Sequence, residues 1–124
     1  LDCTDNLKTR FLINEYCVKN KIKWIYSGIV GSRGMVLVID PKKLCFNCVF
    51  KKPTDLLATC HTEGVLNTNI NLISAIQVNE ALKILCNKKY CSDLIYFDIW
   101  NLNFKRIKIK RNKNCKICRK VYKF

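Results

Sequence analysis

Two cysteine couples of identical spacing, Cys45-Phe46-Asn47-Cys48 and Cys115-Lys116-Ile117-Cys118, are the residues with the clearest capacity for chemistry. A two-residue spacer lets both sulfurs of one tight turn face the same point. Two such turns supply four thiolates, the closed tetrahedral set that structural zinc prefers. The couples lie far apart, so an ion between them would staple the end of the chain to its middle. In small peptides such a site contributes roughly 10–16 kcal/mol of apparent binding free energy. The competing readings are two local disulfides or a redox pair. A thioredoxin-type pair should open a helix after a strand, and neither couple clearly does so in the sequence.

Two further groups could be reactive. Asp2 and Asp5 are carboxylates three apart, just ahead of a helical pattern. Asp5 reads equally well as a helix cap and as a carboxylate at a strand-to-helix turn, where nucleotide and metal sites form in α/β folds. Cys60 sits in a polar stretch, 51–64, beside His61 and among lysines, surroundings that can lower a thiol pKa and make it nucleophilic. The alternative for Cys60 is a buried structural thiol, and for His61 a surface residue.

The elements that must position these groups follow from periodicity. Thr4, Asp5 or Asn6 can cap a helix carrying Leu7, Phe11, Leu12 and Tyr16 as its apolar stripe. Asn14 lies on that side too and predicts a buried hydrogen bond. Residues 23–30 read as a first strand and 35–39 as a second, the latter apolar enough to be buried on both faces. Gly28 to Gly34 joins strand to strand without the spacing of a dinucleotide-binding loop, and reads as a turn. Thr68 or Asn69 can cap a long helix with Ile70, Ile73, Ile76, Val78, Ala81, Leu82 and Leu85 on a wide apolar face, ending near Cys86. Residues 93–99 and 104–110 read as third and fourth strands about a turn at 100–103. In the fourth, Ile107 and Ile109 alternate with Arg106, Lys108 and Lys110, the pattern of a half-exposed antiparallel strand.

Bulk properties narrow the class. The length allows one domain with one modest core, and no run is apolar enough to span a membrane. Beyond the two couples stand Cys3, Cys17, Cys60, Cys86 and Cys91, an odd set that argues against a secreted disulfide framework and for a reducing, cytoplasmic compartment. The net charge is +14. Lysine, isoleucine and asparagine dominate the composition, the mark of A+T-rich coding, so nucleic acid is not the expected partner. Ten of the 23 basic residues lie between Lys105 and Lys123, and RNA, if bound at all, would bind there.

In order along the chain these residues resemble the C-terminal half of the ThiF/MoeB/HesA adenylyltransferases, relatives of the ubiquitin-activating enzymes. Asp2-Cys3-Thr4-Asp5-Asn6 with Arg10 and Asn14 resembles the family's D-x-x-D-N…R…N segment. Gly34 before a buried strand, the two cysteine couples, Cys60 with Gly64-Val65-Leu66, and the helix Ala75–Leu85 with its Gln77, Glu80 and Lys83 match further landmarks. The resemblance implies an α/β fold: the C-terminal part of one Rossmann-like domain over 1–124, a mixed sheet with antiparallel strands, flanking helices and a four-cysteine structural zinc site.

It also implies an activity. ATP and magnesium would adenylylate the C-terminal glycine of a ubiquitin-like sulfur carrier, a thiamin-type ThiS carrier being favoured over molybdopterin or tRNA-thiolation carriers. Asp5 would hold the nucleotide–magnesium group, Asn6 would contact the nucleotide, and Cys60 would handle sulfur or form a thioester. A sulfur donor protein and a homodimer are implied as partners. The family's N-terminal half, with its glycine-rich nucleotide loop and phosphate-clamping arginine and lysine, is absent from the sequence, which begins at Leu1 rather than methionine. Residues 1–124 are therefore expected to be a fragment, inactive alone. Asn67-Thr68-Asn69-Ile70-Asn71 departs from the small residues usual after Gly-Val. The alternatives are a zinc-stabilised basic module that binds RNA and a non-catalytic remnant or split subunit of the same family.

Overall fold

A computed structural model describes residues 1–50 and 63–121. Cys60 and His61 lie outside them. Helix α1 (Leu7–Lys19) leads into a hairpin of β1 (Trp24–Val30) and β2 (Arg33–Ile39), then the short α2 (Phe46–Val49). The long α3 (Asn67–Leu85), strands β3 (Leu94–Asp98) and β4 (Asn103–Ile107), and a terminal α4 (Lys116–Val121) complete the order.

The sheet runs β1-β2-β3-β4 and every ladder is antiparallel. Among the described residues, parallel pairing is confined to one bridge between Gly31 and Val65. Alternation along β1 and β2 sends side chains to two separate cores. Trp24, Tyr26, Leu37 and Ile39 point to one face, where Cys17, Leu44, Phe46 and Leu94 join them. Ile25, Val36 and Val38 point to the other, against Ile73 of α3 and Phe97 of β3. The apolar run read as doubly buried in the sequence is doubly buried, because α1 with the first cysteine turn covers one face and α3 the other.

The hairpin turn is tight. Gly31 takes a φ of +58°, which a side chain would strain. Its N–H donates to the carbonyl of Gly64 at 3.0 Å and its carbonyl accepts from Leu66 at 3.1 Å. That amide is therefore engaged by protein, as a structural turn requires.

Both long helices are rotated from the orientation hydrophobicity suggests, so only part of each expected face, Leu7, Phe11 and Asn14 in α1 and Ile73, Ile76 and Ala81 in α3, is covered. In α1 the buried positions are Asn14, Cys17 and Val18, with Leu7 and Phe11 partly covered, whereas Leu12 and Tyr16 are exposed. In α3 they are Asn69, Ile73, Gln77 and Glu80, and Ile70, Val78, Leu82 and Leu85 are exposed. The cause is polar. Asn69 donates to the carbonyls of Gly31 and Arg33, Gln77 to those of Asp2 and Ile25, and Glu80 accepts from Cys91 N–H and Lys83. These bonds are worth making only on the buried side, so they set the rotation of each helix. Asn69 is thus not a cap; the N-cap position belongs to Leu66. Strand β4 ends at Ile107, earlier than the alternation suggests, and is exposed along its length because it is the sheet edge. Phe104 still stacks on the buried Phe97, and Ile109, beyond the strand, packs against the other core.

Candidate metal centre and active-site turn

The two cysteine couples meet. Cys45, Cys48, Cys115 and Cys118 bring their sulfurs within 4.8 Å of one another. The Cys45 sulfur lies 3.8 Å from that of Cys48, 3.6 Å from that of Cys115 and 3.2 Å from that of Cys118, while Cys48 and Cys118 are 3.6 Å apart. Four sulfurs at about 2.3 Å from one tetrahedral ion would stand about 3.8 Å apart. The cage therefore fits a thiophilic metal ion, and three of its four cysteines are buried. Neither couple is a local disulfide. Each does open a helical turn, Cys45 as the N-cap of α2 and Cys115 just before α4, a feature not evident in the sequence.

Electrostatics point the same way. The hydrogen bond from Cys45 draws Cys48 down to about 4. The same contact, then burial, pushes Cys45 upward, and burial raises Cys118 to about 11. One thiolate forms easily and its neighbours resist a second charge, so a full set of thiolates needs a cation among them.

The first couple is carried by the core. Phe46 is fully buried between the two cysteines' turn and the sheet, with ring centroids 5.2 Å from Phe11, 5.6 Å from Trp24, 5.0 Å from Tyr26 and 4.5 Å from Phe50. Asn14 of α1 accepts from Phe46 N–H at 2.8 Å and donates to Asn47 at 2.7 Å. Asp40 starts the turn by accepting from Lys42 N–H through its side chain and from Lys43 and Leu44 N–H through its carbonyl. The second couple arrives with α4, which packs against α1, and Val18 joins Cys45, Cys115 and Cys118 in one buried cluster.

The Asp2–Asn6 turn precedes α1 and is bonded to β1 through Asp2 N–H and the Ile25 carbonyl, and its carboxylates have separate fates. Asp2 is buried; its Oδ1 accepts from Thr4 N–H at 2.8 Å and from the Thr4 hydroxyl at 2.6 Å, and its Oδ2 pairs with Arg10 at 2.8 Å. Asp5 is exposed. Asn6, not Asp5, is the N-cap: its Oδ1 accepts from Thr9 N–H at 2.8 Å while its Nδ2 donates to Asp5 at 3.1 Å. The sequence marks Asp2 as one of two carboxylates ahead of a helix, and shows Arg10 and Gln77 only as landmarks of a resemblance. The parts played by Thr4 and Ser27 had no signal, because each acts through one bond to a neighbour's backbone or carboxylate. No described helix is long and apolar enough to cross a membrane.

Sheet, flanking helices and sulfur cage define a cysteine-stapled α/β unit. The pattern of the ThiF family matches residues 1–117, and the chain belongs to that family. It is 27% identical over 122 residues to the SAMP-activating enzyme E1 of Haloferax volcanii, covering 95% of this chain and 45% of that protein. It is 32% identical over 101 residues to the sulfur carrier protein ThiS adenylyltransferase of Bacillus subtilis, covering 81% and 30%. The fold matches that of E. coli MccB solved with ATP, at a TM-score of 0.76 and 16% identity over 95% of this chain and 38% of that one. The chain thus spans less than half the length of these relatives.

Proposed function

We propose that this chain is the C-terminal part of an enzyme that uses ATP to adenylylate the C-terminal glycine of a ubiquitin-like sulfur carrier protein. The observation that carries the reading is the turn at the start of α1: in a chain matched by the ThiF family over 1–117, it exposes Asp5 while burying and neutralising Asp2. Asp5, the exposed carboxylate of the turn, is in this reading the one that meets a nucleotide–magnesium group. Magnesium bridging the phosphates would neutralise charge as pyrophosphate departs. Asn6 spends its Oδ1 on the helix cap and keeps its Nδ2 side next to Asp5, where it both steadies that carboxylate and faces the nucleotide.

The four cysteines hold zinc in this reading. Its role is structural: all four positions are filled by sulfur, which leaves none for substrate. Cys60 attacks the acyl adenylate as a thiolate or persulfide, displacing AMP. For the carrier we propose the ThiS type, with molybdopterin and tRNA-thiolation carriers as the competitors, and identity to the relatives does not separate them. The reading also assigns the protein a homodimeric state and a sulfur donor partner.

The test is pyrophosphate exchange by the full-length protein with ThiS-type and MoaD-type carriers. Exchange should require carrier, fall steeply but measurably in Asp5→Asn, and survive Cys60→Ala, which should instead lose the covalent carrier adduct. Residues 1–124 alone should give no exchange. Exchange at the wild-type level in Asp5→Asn would remove the nucleotide site from this turn.

A further inference from the structure

The main-chain carbonyls of Asp2 and Ile25 lie side by side, because Asp2 N–H donates to the carbonyl of Ile25 at 2.9 Å. Into this pair α3 inserts one buried side chain. The amide nitrogen of Gln77 donates to the Asp2 carbonyl at 2.9 Å and to that of Ile25 at 3.2 Å. A primary amide offers two hydrogens from one nitrogen, one for each acceptor. The Ser27 hydroxyl adds a weaker bond to the Asp2 carbonyl at 3.2 Å.

We infer that Gln77 is a positioning residue for the nucleotide site, acting through the Asp2–Asn6 turn. The inference rests on the reading of Asp5 given above and deepens it. The path from Asp2 to Asp5 is three residues long and is held at both ends. At the start, Gln77 and Ser27 fix the Asp2 carbonyl, and Arg10 fixes its carboxylate while also donating to the carbonyl of Ser27 at 3.0 Å. At the end, Asn6 is locked into the cap of α1 and donates to Asp5. Asp5 itself is exposed, so packing does not aim it, and these anchors hold the backbone that carries it. A carboxylate meant to meet a metal–phosphate group needs such support, because a displacement of about 1 Å can cost on the order of a hundredfold in rate. Gln77 reaches this turn from α3, whose N-terminal approach at Gly64 and Leu66 is tied to Gly31. One helix therefore fixes the adenylylating turn to the hairpin tip, and no contact between Gln77 and substrate is required.

The experiment compares Gln77→Met, Ser27→Ala, Asp5→Asn and the double variant Gln77→Met/Asp5→Asn in the full-length protein, with pyrophosphate exchange measured against magnesium–ATP and against carrier separately. Gln77→Met keeps the length and helix preference of the side chain and removes both donated hydrogens. It should raise the KM for magnesium–ATP about tenfold, the lower end of what loss of a supporting partner costs, with the KM for carrier unchanged. Ser27→Ala should move the same constant in the same direction by less. In the Asp5→Asn background, Gln77→Met should cost nothing further, because there is no carboxylate left to aim. Equal rises in both KM values, or full additivity with Asp5→Asn, would reduce Gln77 to a stabilising residue and overturn the inference. An unchanged magnesium–ATP constant in both Gln77→Met and Ser27→Ala would do the same. If Asp5→Asn alone exchanges normally, the nucleotide-site reading fails first and this one with it.

Discussion

The side chain of Asn14 donates to Oδ1 of Asn47 at 2.7 Å, joining α1 to the turn between the first two cysteines. The same amide accepts from Phe46 N–H, so one fully buried residue satisfies the turn from both sides. The cage is thus built against a surface already shaped by hydrogen bonds. A metal in the cage would close a structure whose first cysteine turn is already held by the core.

Asn14→Ala should therefore act at a distance on the metal. It strands the buried Phe46 N–H and frees Asn47, which should cost about 1–3 kcal/mol of stability. Supporting partners of metal ligands are typically worth roughly 10–100-fold in affinity. Urea unfolding and competition with a chromophoric chelator would read the two effects separately, and wild-type zinc affinity in this variant would show that Asn14 supports only the core.

Removing the metal should act locally before it acts globally. The sheet has two cores of its own, whereas α4 is held to α1 through the cluster of Val18, Cys45, Cys115 and Cys118. On chelation, amide protection should vanish first over 44–50 and 112–118 and persist over 24–39. Cys115→Ser should reproduce that pattern without chelator. Hydrogen exchange read by mass spectrometry checks both, and simultaneous loss across the sheet would make the cage part of the folding core itself.

Much of this was legible in the sequence, for identifiable reasons. The cysteine spacing, the doubly apolar β2 and the capped start of α1 are local signals, and local signals survive without a fold. The faces of α1 and α3 were misplaced because hydrophobic periodicity counts Leu12, Tyr16, Val78 and Leu82 as inward and has no weight for a buried amide. Asn14 is legible because it lies on the apolar side of α1, and it does make buried hydrogen bonds; Asn69 and Gln77 find partners dozens of residues away, so only tertiary structure says they are worth burying. The early end of β4 has a similar cause: alternation marks a strand, but edge exposure is decided by what lies beside it.

Asp2 and Asp5 should separate cleanly under mutation. Asp2→Ala removes one partner of a buried ion pair and leaves Arg10 facing the carbonyls of Thr4 and Ser27 alone. Breaking such a pair costs about 3–5 kcal/mol, so the variant should melt far below wild type. Asp5→Asn changes an exposed side chain and should stay within roughly 0.5 kcal/mol of wild-type stability, while pyrophosphate exchange falls. Thermal melts beside exchange assays decide this, and equal melting temperatures for the two variants would contradict the division of labour.

Tyr90 should give the fold an alkaline limit. Its phenol donates to Asp40 at 2.6 Å, and burial, then that bond and the Asp40 charge, raise its pKa. A phenol ionises near 10 when unfolded. Because the folded value is higher, the stabilisation is complete below about pH 10 and is lost as pH rises toward the folded value. Tyr90→Phe should lower stability by about 1 kcal/mol at pH 8 and flatten the decline between pH 9.5 and 11. Melts across that range would show parallel curves if the phenol were not responsible.

Gly34 should tolerate no side chain. It pairs with Phe97 across β2 and β3, and a Cβ built there would overlap the ring of Phe97. Phe97 cannot retreat: it is fully buried, packs in the cluster with Val36, Val38 and Ile73, and stacks on Phe104 at 5.8 Å. Forcing a methyl into such a site costs typically about 1–3 kcal/mol. Gly34→Ala should lose that much in urea titration, and Gly34→Ala/Phe97→Leu should recover part of it by making room. If the double variant is no more stable than the sum of the two single changes predicts, the glycine is required for its backbone and not for the ring above it.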